Sequence, residues 1–378
     1  MSSPGSRQHI VELVIDTLTI RAYSGGIRVY LRELIARLPE HIRVTLILSR
    51  SNAAGFADCQ VAGRMVIPWS TESSLLRVLT QQLILPLLLL RRRADLLFEP
   101  VDIAPLLAPV PLVTCLHSSH LNADAGYTRW PQRLYNRLFL GLSIRRARRI
   151  LAISAFVADQ TARLFPASRD KLRVVHHGAG LVERAPNWHV PDDEERGGDI
   201  VFIGTLHRHK RVDALLAAYA GLLETPGRWP DLRIAGLDYR GQAAAGLKRQ
   251  AHALGIAPHV HWLGRVTDEA LLALLRDSRL LVLPSVVEGF GLPLVEAMQS
   301  GLPVIYARRG ALPEIAGAAG LGIDPDDTPA FTKALQRMLG DTALRADSIR
   351  RGLARGRAFS WPRCAQATAA VFHEATRA

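Results

Sequence analysis

Residues 284–305 read PSVVEGFGLPLVEAMQSGLPVI and hold two carboxylates, Glu288 and Glu296, with two glycines and a proline between them. The apolar run before this stretch predicts a buried parallel strand, and the residues after it predict a helix with proline in its first turn, where a missing N–H group costs nothing. Glu288 therefore falls in a strand-to-helix loop. Gly289 and Gly291 allow that loop to approach a ligand closely, and the positive end of the helix dipole favours a phosphate group.

Glu296 lies about one turn into the predicted helix, where its carboxylate can accept hydrogen bonds from neighbouring hydroxyl groups. Two carboxylates beside an anion-binding backbone suit a ligand that is part sugar and part phosphate. The alternative is that Glu296 is a solvated helix residue and that the glycines only make a turn, because short motifs often occur by chance.

Apolar strand-like runs alternate with helical ones along most of the 378 residues, a pattern that predicts parallel sheets built from βαβ units. A chain of this length exceeds the usual size of one hydrophobic core, so we expect two domains. In the first half we predict strands at residues 9–16, 43–49, 94–100, 111–117, 149–154 and 172–176. In the second half we predict them at residues 199–206, 232–237, 259–263, 279–284 and 303–307.

Beyond residue 296 the sequence continues with SGLPVI at residues 300–305 and GALPEI at residues 310–315. The whole segment resembles the signature of the retaining glycosyltransferases of family 4. This resemblance implies the GT-B fold, in which two Rossmann-like, doubly wound domains face each other across a cleft. It also implies that Glu288 contacts the donor sugar, that Glu296 binds the nucleotide ribose, and that the donor is further contacted by Gly289, Phe290, Gly291 and Leu292.

The predicted domain boundaries follow from composition and from the same resemblance. Residues 1–185 form the acceptor-side domain, residues 186–198 form a linker rich in proline, glycine and acidic residues, and residues 199–360 form the nucleotide-sugar domain. The sequence FSW at residues 359–361 resembles the family's entry into its last helix. The resemblance implies that helix 361–378 returns to complete the first domain.

The run GTLHRHK at residues 204–210 places a glycine and a dense group of cations after a predicted strand. Family members keep a basic pair here that neutralises the diphosphate leaving group. Gly204 and Lys210 match that pattern, but many relatives have arginine directly before the lysine, where this chain has His209. Either Arg208 or His209 is then the second cation, and the run is otherwise a solvated basic turn.

Two features of the first half match the family pattern near the donor. Gly25 and Gly26 follow the first predicted strand, where the family backbone comes near the donor phosphates, although two glycines before a helix also make an ordinary turn. His117 ends another predicted strand and matches a histidine beside the donor sugar; otherwise it is a structural histidine. Relatives often have aspartate next, whereas this chain has Ser118.

The net charge of +13 is concentrated in the first half, where residues 1–185 hold 24 Lys and Arg against 13 Asp and Glu. Such asymmetry indicates an anionic partner. Residues 75–93 are strongly apolar and end in three arginines, and residues 129–149 mix aromatic residues with seven arginines, a combination that suits an anionic membrane surface. The alternative for the leucines is a buried core helix.

The cysteines Cys59, Cys115 and Cys364 are far apart and lack metal-ligand spacing, which favours a reducing compartment. The beginning of the chain lacks the order of a signal peptide, and the longest uncharged apolar run, residues 78–90, is too short for a bilayer span of roughly 17 residues. We therefore expect a cytoplasmic protein that lies peripherally on the inner face of the cell membrane.

Together these features predict a retaining glycosyltransferase that moves a hexose of the mannose or rhamnose type to a lipid-linked saccharide or polysaccharide. Residues 204–210 look most like bacterial mannosyl- and rhamnosyltransferases of polysaccharide or lipopolysaccharide assembly, which indicates a GDP-sugar donor. We expect no metal or other cofactor, since no Asp-x-Asp motif occurs in the predicted site segments. The alternatives are a non-catalytic GT-B partner subunit and a basic nucleic-acid-binding protein; aromatic residues at 6% and the lack of a recognition motif disfavour the latter.

Overall fold

The computed structural model describes residues 10–20, 25–117, 130–182, 185, 188–192, 196–238 and 242–377. The chain divides into two compact units, one made of Met1–Gly178 and Trp361–Ala378 and the other of Ala179–Ser360. The first unit thus ends after Gly178 rather than after residue 185, and the C-terminal segment belongs to it.

The described residues of the first unit form a seven-stranded parallel sheet in the order β3-β2-β1-β4-β5-β6-β7. Its strands are β1 Val11–Asp16, β2 Ile42–Ser49, β3 Gly63–Ile67, β4 Leu96–Glu99, β5 Leu112–Leu116, β6 Arg149–Ala152 and β7 Leu172–Val174. Its helices before residue 178 are α1 Gly25–Ile35, α2 Ser74–Leu79, α3 Leu85–Arg92, α4 Trp130–Arg146 and α5 Ala155–Leu164, and a single π-helical turn at Thr80–Ile84 joins α2 to α3.

The described residues of the second unit form a six-stranded parallel sheet in the order β10-β9-β8-β11-β12-β13. Its strands are β8 Ile200–Ile203, β9 Leu232–Ala235, β10 Val260–Gly264, β11 Leu280–Leu283, β12 Val304–Ala307 and β13 Leu321–Ile323. Its helices are α6 Val212–Leu223, α7 Gln242–Ala253, α8 Asp268–Asp277, α9 Leu292–Gln299, α10 Leu312–Ala316, α11 Thr328–Gly340 and α12 Thr342–Gly356. Helix α13, Trp361–Arg377, follows and belongs to the first unit.

Each sheet is doubly wound, and each has one place where the strand order reverses. In the first unit this place lies between β1 and β4, and in the second it lies between β8 and β11. Loops that leave the carboxyl ends of two such strands run to opposite sides of the sheet and open a crevice in which ligands bind. The α/β fold with two parallel sheets is confirmed.

Two strands, β3 and β13, were not predicted from the sequence, and both lie at a sheet edge. Strand β3 has the sequence GRMVI, in which only Ile67 is buried, and β13 has three residues, one of them glycine. A strand covered on fewer sides needs fewer apolar residues, so its sequence lacks the continuous apolar run typical of the central strands.

The end of the predicted linker is built into the second unit. The side chain of Arg196 is fully buried, and its guanidinium donates to the carbonyl oxygens of Leu275 at 2.9 Å, Arg276 at 3.1 Å and Ser300 at 2.6 Å. These carbonyl groups lie at the carboxyl ends of α8 and α9, where helices leave such groups without intrahelical partners. Arg196 therefore caps two helices and is not a solvated linker residue.

Two acidic side chains, Asp16 and Glu99, lie buried at the carboxyl ends of β1 and β4 and are hydrogen-bonded to each other. The Gln81 amide nitrogen donates to both carboxyl groups at 2.9 Å, and to the Ile103 carbonyl oxygen at 3.1 Å. Burial raises the pKa of both carboxyl groups, and the neighbouring Asp16 charge raises the pKa of Glu99 further. The pair therefore shares a proton where exposed carboxyl groups would both be ionised.

A raised carboxyl pKa makes the folded state bind protons more tightly than the unfolded chain, so the free energy of unfolding falls as the pH rises from the usual carboxyl range through the raised pKa. We predict that Glu99→Gln, which removes one of the two titrations, makes this decline shallower as the pH rises above the usual carboxyl range. Urea denaturation at a series of pH values measures the slope. The exposed Glu40→Gln is the matched control and should keep the wild-type slope; an equally steep slope in Glu99→Gln contradicts the shared proton.

Candidate active site

An ion pair joins the two loops that flank the strand reversal of the second unit. Lys210 lies in a short 3₁₀ turn, residues 208–210, after β8, and Glu288 lies in the loop between β11 and α9. The Lys210 Nζ atom is 2.5 Å from Glu288 Oε2, and each side chain is 17% exposed. The structure thus brings together two of the residues that the sequence singled out.

Backbone hydrogen bonds join these two loops to each other and join the Glu288 loop to a third loop, between β12 and α10. The Val286 N–H group donates to the His209 carbonyl oxygen at 2.9 Å, and the Ala311 N–H group donates to the Glu288 carbonyl oxygen at 2.9 Å. Gly310 has a φ of +64°, and a Cβ atom at this position would lie 2.7 Å from the Glu288 carbonyl oxygen. The close contact therefore requires glycine at position 310. This contact fixes the backbone of Glu288, whose side chain carries the carboxylate.

Gly291 caps the amino end of α9 with a φ of +93°, and Pro293 occupies the first turn. A Cβ atom on Gly291 would lie 2.8 Å from the Leu312 side chain, so the turn requires glycine. Glu296 is one turn along this helix and is partly buried. The helix terminus, Glu288 and Glu296 therefore belong to one rigid strand–loop–helix segment.

The residues beside Gly291 differ in burial. Phe290 is 3% exposed and packs edge-on against Phe359, with ring centroids 5.6 Å apart. The Phe290 side chain belongs to the core, so only the Phe290 backbone is left for the predicted contact with the donor. Gly289 and Leu292 are both partly exposed.

Gly204 follows β8, and its backbone is packed against the loop after β9. Its N–H group donates to the Ala235 carbonyl oxygen at 3.0 Å, and a Cβ atom on Gly236 would lie 1.8 Å from the Gly204 carbonyl oxygen. Gly236 is therefore required for the position of the Gly204 loop, although sequence reasoning missed it. The available signal was a glycine directly after a buried strand.

The basic run around Lys210 is not uniformly charged. Burial, and then the neighbouring Lys210 charge, lowers the pKa of His209 to about 4, so this imidazole is neutral at pH 7. Its ring stacks on that of His207, with centroids 5.6 Å apart. Arg208 is exposed, and its guanidinium is always charged. Within residues 204–210, Arg208 and Lys210 are therefore the side chains that are charged at pH 7.

In the first unit, Gly25 and Gly26 open α1, and His117 follows β5. The His117 N–H group donates to Asp102 Oδ1 at 3.0 Å, and its ring Nε2 lies 3.0 Å from the Pro100 carbonyl oxygen. Since a carbonyl oxygen only accepts, we assign the proton to Nε2, which leaves Nδ1 as an acceptor. Burial lowers the pKa of His117, and the Asp102 charge opposes this shift only in part.

His117 lies beside an aromatic cluster formed by Tyr30, His177 and Trp361, and its ring centroid is 5.3 Å from that of His177. Trp361 begins α13, so the C-terminal helix supports the surroundings of His117. Ser118 and the residues at 21–24 before Gly25 lie outside the described residues. Within the described ranges, no group of three or more histidine, cysteine or acidic side chains is placed to hold a metal ion.

Two family models match the chain. The model described as glycosyl transferases group 1 matches residues 189–355, and the model described as glycosyltransferase family 4 matches residues 24–181. The chain is 33% identical over 263 residues to the O-antigen chain mannosyltransferase B of Escherichia coli, a match that covers 68% of each protein. It is 32% identical over 273 residues to D-inositol 3-phosphate glycosyltransferase of Nocardia farcinica, covering 68% of this chain and 60% of that protein.

Among solved structures, sucrose-phosphate synthase from Thermosynechococcus elongatus superposes with a TM-score of 0.75 at 19% identity, covering 96% of this chain and 98% of that one. At this identity the likeness concerns the fold alone. Together with the two parallel sheets it shows the GT-B fold.

The charges around Lys210 lead to a prediction for the binding of a nucleoside diphosphate at pH 7. Lys210→Ala should weaken binding about 10- to 100-fold, because a charge-assisted contact to phosphate contributes roughly 1.5–3 kcal/mol. Arg208→Ala should weaken it less, since an exposed charge is screened by solvent. His209→Ala should leave it unchanged, because the imidazole is neutral. Isothermal titration calorimetry measures all three affinities.

Arg276→Ala is the control for this series, because Arg276 is exposed and precedes β11, at the amino ends of the strands and so opposite the carboxyl ends that carry Lys210 and Glu288. A loss of affinity in His209→Ala comparable to that in Lys210→Ala would show that His209 is protonated or directly bound. Equal affinity in Lys210→Ala and wild type would remove Lys210 from the phosphate site.

Proposed function

Because the chain belongs to glycosyltransferase family 4, we propose that it is a retaining enzyme that moves a hexose from a nucleotide-diphosphate sugar to a lipid-linked saccharide or polysaccharide. The Lys210–Glu288 ion pair is the observation that carries this proposal. It places a cation suited to the leaving diphosphate directly beside a carboxylate suited to the sugar.

In this proposal the second unit binds the nucleotide end of the donor. Lys210 and Arg208 neutralise the diphosphate, and the amino end of α9, capped by Gly291, adds the positive end of its dipole. Glu296 accepts hydrogen bonds from the ribose. In the first unit His117 offers Nδ1 as an acceptor for a sugar hydroxyl group, which is a role for a neutral imidazole.

Transfer with retention breaks the bond between the sugar anomeric carbon and the diphosphate oxygen, and the electron pair leaves with that oxygen. The acceptor hydroxyl forms the new bond on the same face, and its proton passes to the leaving phosphate. The Glu288 carboxylate stabilises the positive charge that develops on the sugar ring, while Lys210 and Arg208 stabilise the negative charge on the diphosphate. These cations supply the charge that a metal ion supplies in other transferases, so we propose transfer without a metal.

The relatives indicate the kind of sugar. The name of the Escherichia coli protein describes a mannosyltransferase of the O-antigen chain, and a further relative, 41% identical over 128 residues, is named MMP alpha-(1->4)-mannosyltransferase. We therefore propose a donor of the mannose or rhamnose type, carried by GDP, and an acceptor from polysaccharide or lipopolysaccharide assembly.

A stripe of leucines on the first unit supports an acceptor held at a membrane. Residues 75–93 bury Leu85 and Leu89, but their other face leaves six leucines between 45% and 69% exposed: Leu75, Leu76, Leu79, Leu83, Leu87 and Leu90. The core-helix interpretation of this run therefore holds for only one of its faces. Arg91, Arg92 and Arg93 follow and are exposed. Apolar side chains beside cations suit the interface of an anionic bilayer.

Helices in the described part of the chain are too short or too polar to span a bilayer. We propose that the protein lies peripherally on the inner, cytoplasmic face of the cell membrane, with the leucine stripe inserted among the lipid headgroups.

Glu288→Gln tests the proposed chemistry. The amide keeps the size of the side chain but loses the charge, so transfer should fall by about 100-fold or more. Nucleoside diphosphate affinity should stay the same or rise, because Lys210 loses its internal partner. A radiolabelled GDP-sugar transfer assay, run in EDTA, measures the first quantity and calorimetry the second.

The exposed Glu224→Gln at the end of α6 is the matched control and should transfer at the wild-type rate. Wild-type turnover by Glu288→Gln would remove Glu288 from the mechanism. Activity that disappears in EDTA and returns with added Mg²⁺ or Mn²⁺ would overturn metal-independent transfer.

Replacement of Arg91, Arg92 and Arg93 by glutamine should weaken binding to anionic vesicles by about 100-fold at low salt, since each cation contributes roughly 1 kcal/mol near anionic lipid. Transfer to a soluble acceptor analogue should be unaffected. Vesicle co-sedimentation at increasing salt measures the binding. A control variant with glutamine at the exposed Arg276, Arg350 and Arg351 loses the same charge and should bind vesicles like wild type. An equal loss of vesicle binding in both variants, or vesicle binding that does not depend on salt, would contradict a specific basic surface.

A further inference from the structure

The residue directly after Lys210 has an unusual backbone. Arg211 has φ +51° and ψ +39°, in the left-handed helical region, and among the described non-glycine residues only Arg93 shares a positive φ. Left-handed backbone brings the Cβ atom of an L-residue close to the following carbonyl oxygen, which makes it costly outside glycine. Such backbone persists only where the surrounding structure holds it, and it clusters at functional sites.

The position of Arg211 explains what this backbone does for its neighbour. The Lys210 N–H group donates to the His207 carbonyl oxygen at 2.9 Å, and the Arg211 N–H group donates to that of Arg208 at 3.1 Å, which closes the 3₁₀ turn. The Leu215 N–H group then donates to the Arg211 carbonyl oxygen at 3.2 Å, which starts α6. Arg211 is thus the single residue at which the turn carrying Lys210 changes direction into the helix.

The Arg211 side chain is held at two points. Its Nη1 atom is 2.5 Å from Asp326 Oδ1, and its Nε atom is 3.4 Å from the carboxylate of Asp213, in the first turn of α6. The Arg211 side chain is 21% exposed, and those of Asp213 and Asp326 are 47% and 63% exposed, so solvent partly screens both ion pairs.

Asp326 connects Arg211 with the other side of the site. It lies in the loop after β13, where its N–H group donates to Asp324 Oδ1 at 3.1 Å, and Asp324 Oδ2 is 2.9 Å from Arg309 Nη2. Arg309 precedes Gly310, which packs on the Glu288 backbone. A continuous chain of contacts therefore runs from one member of the Lys210–Glu288 pair to the other.

We propose that Arg211 is a positioning residue whose left-handed backbone, maintained by Asp326 and Asp213, aims the Lys210 ammonium at Glu288 and at the donor diphosphate. The diphosphate part of this inference rests on the proposed function, whereas the orientation of Lys210 does not. Position 211 then requires a residue that tolerates a positive φ. In arginine the two ion pairs hold that backbone, whereas a residue that adopts it without cost does not need them.

Arg211→Gly and Arg211→Ala separate the backbone from the side chain. Both variants lose the same two ion pairs, but only glycine adopts a positive φ without cost. Arg211→Ala should weaken nucleoside diphosphate binding about tenfold, whereas Arg211→Gly should stay within about threefold of wild type. Affinity for a nucleoside monophosphate should be equal in all three proteins. Arg211→Asn, whose residue type tolerates left-handed backbone, should resemble glycine. If Arg211→Ala folds poorly, near-wild-type affinity in both the glycine and asparagine variants still shows that the backbone positions Lys210 without the guanidinium.

Amine labelling followed by mass spectrometry reads the orientation of Lys210 without any ligand. Lys210 should be protected from labelling in wild type and Arg211→Gly, and labelled at least threefold faster in Arg211→Ala. If the melting temperature falls equally in both variants while labelling and diphosphate affinity remain those of wild type, Arg211 is only structural. If glycine and alanine lose protection and affinity equally, the guanidinium rather than the backbone positions Lys210.

Lys210→Ala in the same series separates the two proposals. Unchanged diphosphate affinity in Lys210→Ala would overturn the role of Lys210 in the proposed function, and the labelling of the Arg211 variants would still decide whether Arg211 aims the ammonium group.

Discussion

The ion pair between Lys210 and Glu288 joins two loops that leave the sheet on either side of its strand reversal. Both side chains are mostly withdrawn from water, so each charge depends on the other for stabilisation. A ligand that separates them has to offer an anion to Lys210 and a positive centre to Glu288. A nucleotide-diphosphate sugar offers both during bond cleavage, because the negative charge on the phosphate and the positive charge on the sugar grow together. In the proposed reaction the internal ion pair is exchanged for two new ion pairs in the transition state.

Backbone contacts between the loops hold this pair in place. Where Gly236 meets Gly204, and where Gly310 meets Glu288, the chains approach so closely that a Cβ atom would overlap a carbonyl oxygen. Loops whose backbones are packed in this way have little conformational freedom left to lose when a ligand binds. The glycines of the site are thus explained by contact within the protein as well as by access for a ligand.

The features that the sequence could predict are those encoded within a short stretch. Residues 284–305 contain a strand, a loop and a helix that fold next to one another, so Glu288, Gly291 and Glu296 could be placed without knowledge of the remaining chain. The central strands were predicted because both of their faces are buried. Features that depend on distant partners could not be read in this way: the helix caps made by Arg196, the edge strands, and the neutral state of His209, which burial in the folded unit produces.

The leucine stripe on the surface also depends on a helical segment that contacts residues distant in sequence. A four-residue step advances by about 40° around an α-helix, so repeated steps would carry Leu83 and Leu87 away from the line of Leu75. In the wider π-helical turn at Thr80–Ile84 each residue rotates the chain by a smaller angle, which offsets part of this advance of about 40°. The exposed leucines therefore stay along one face. Gln81 lies within this turn, and its amide reaches both buried carboxyl groups of the sheet. The turn that aligns the exposed leucines therefore also holds the amide that satisfies the buried carboxyl pair, so one local irregularity serves both the core and the surface.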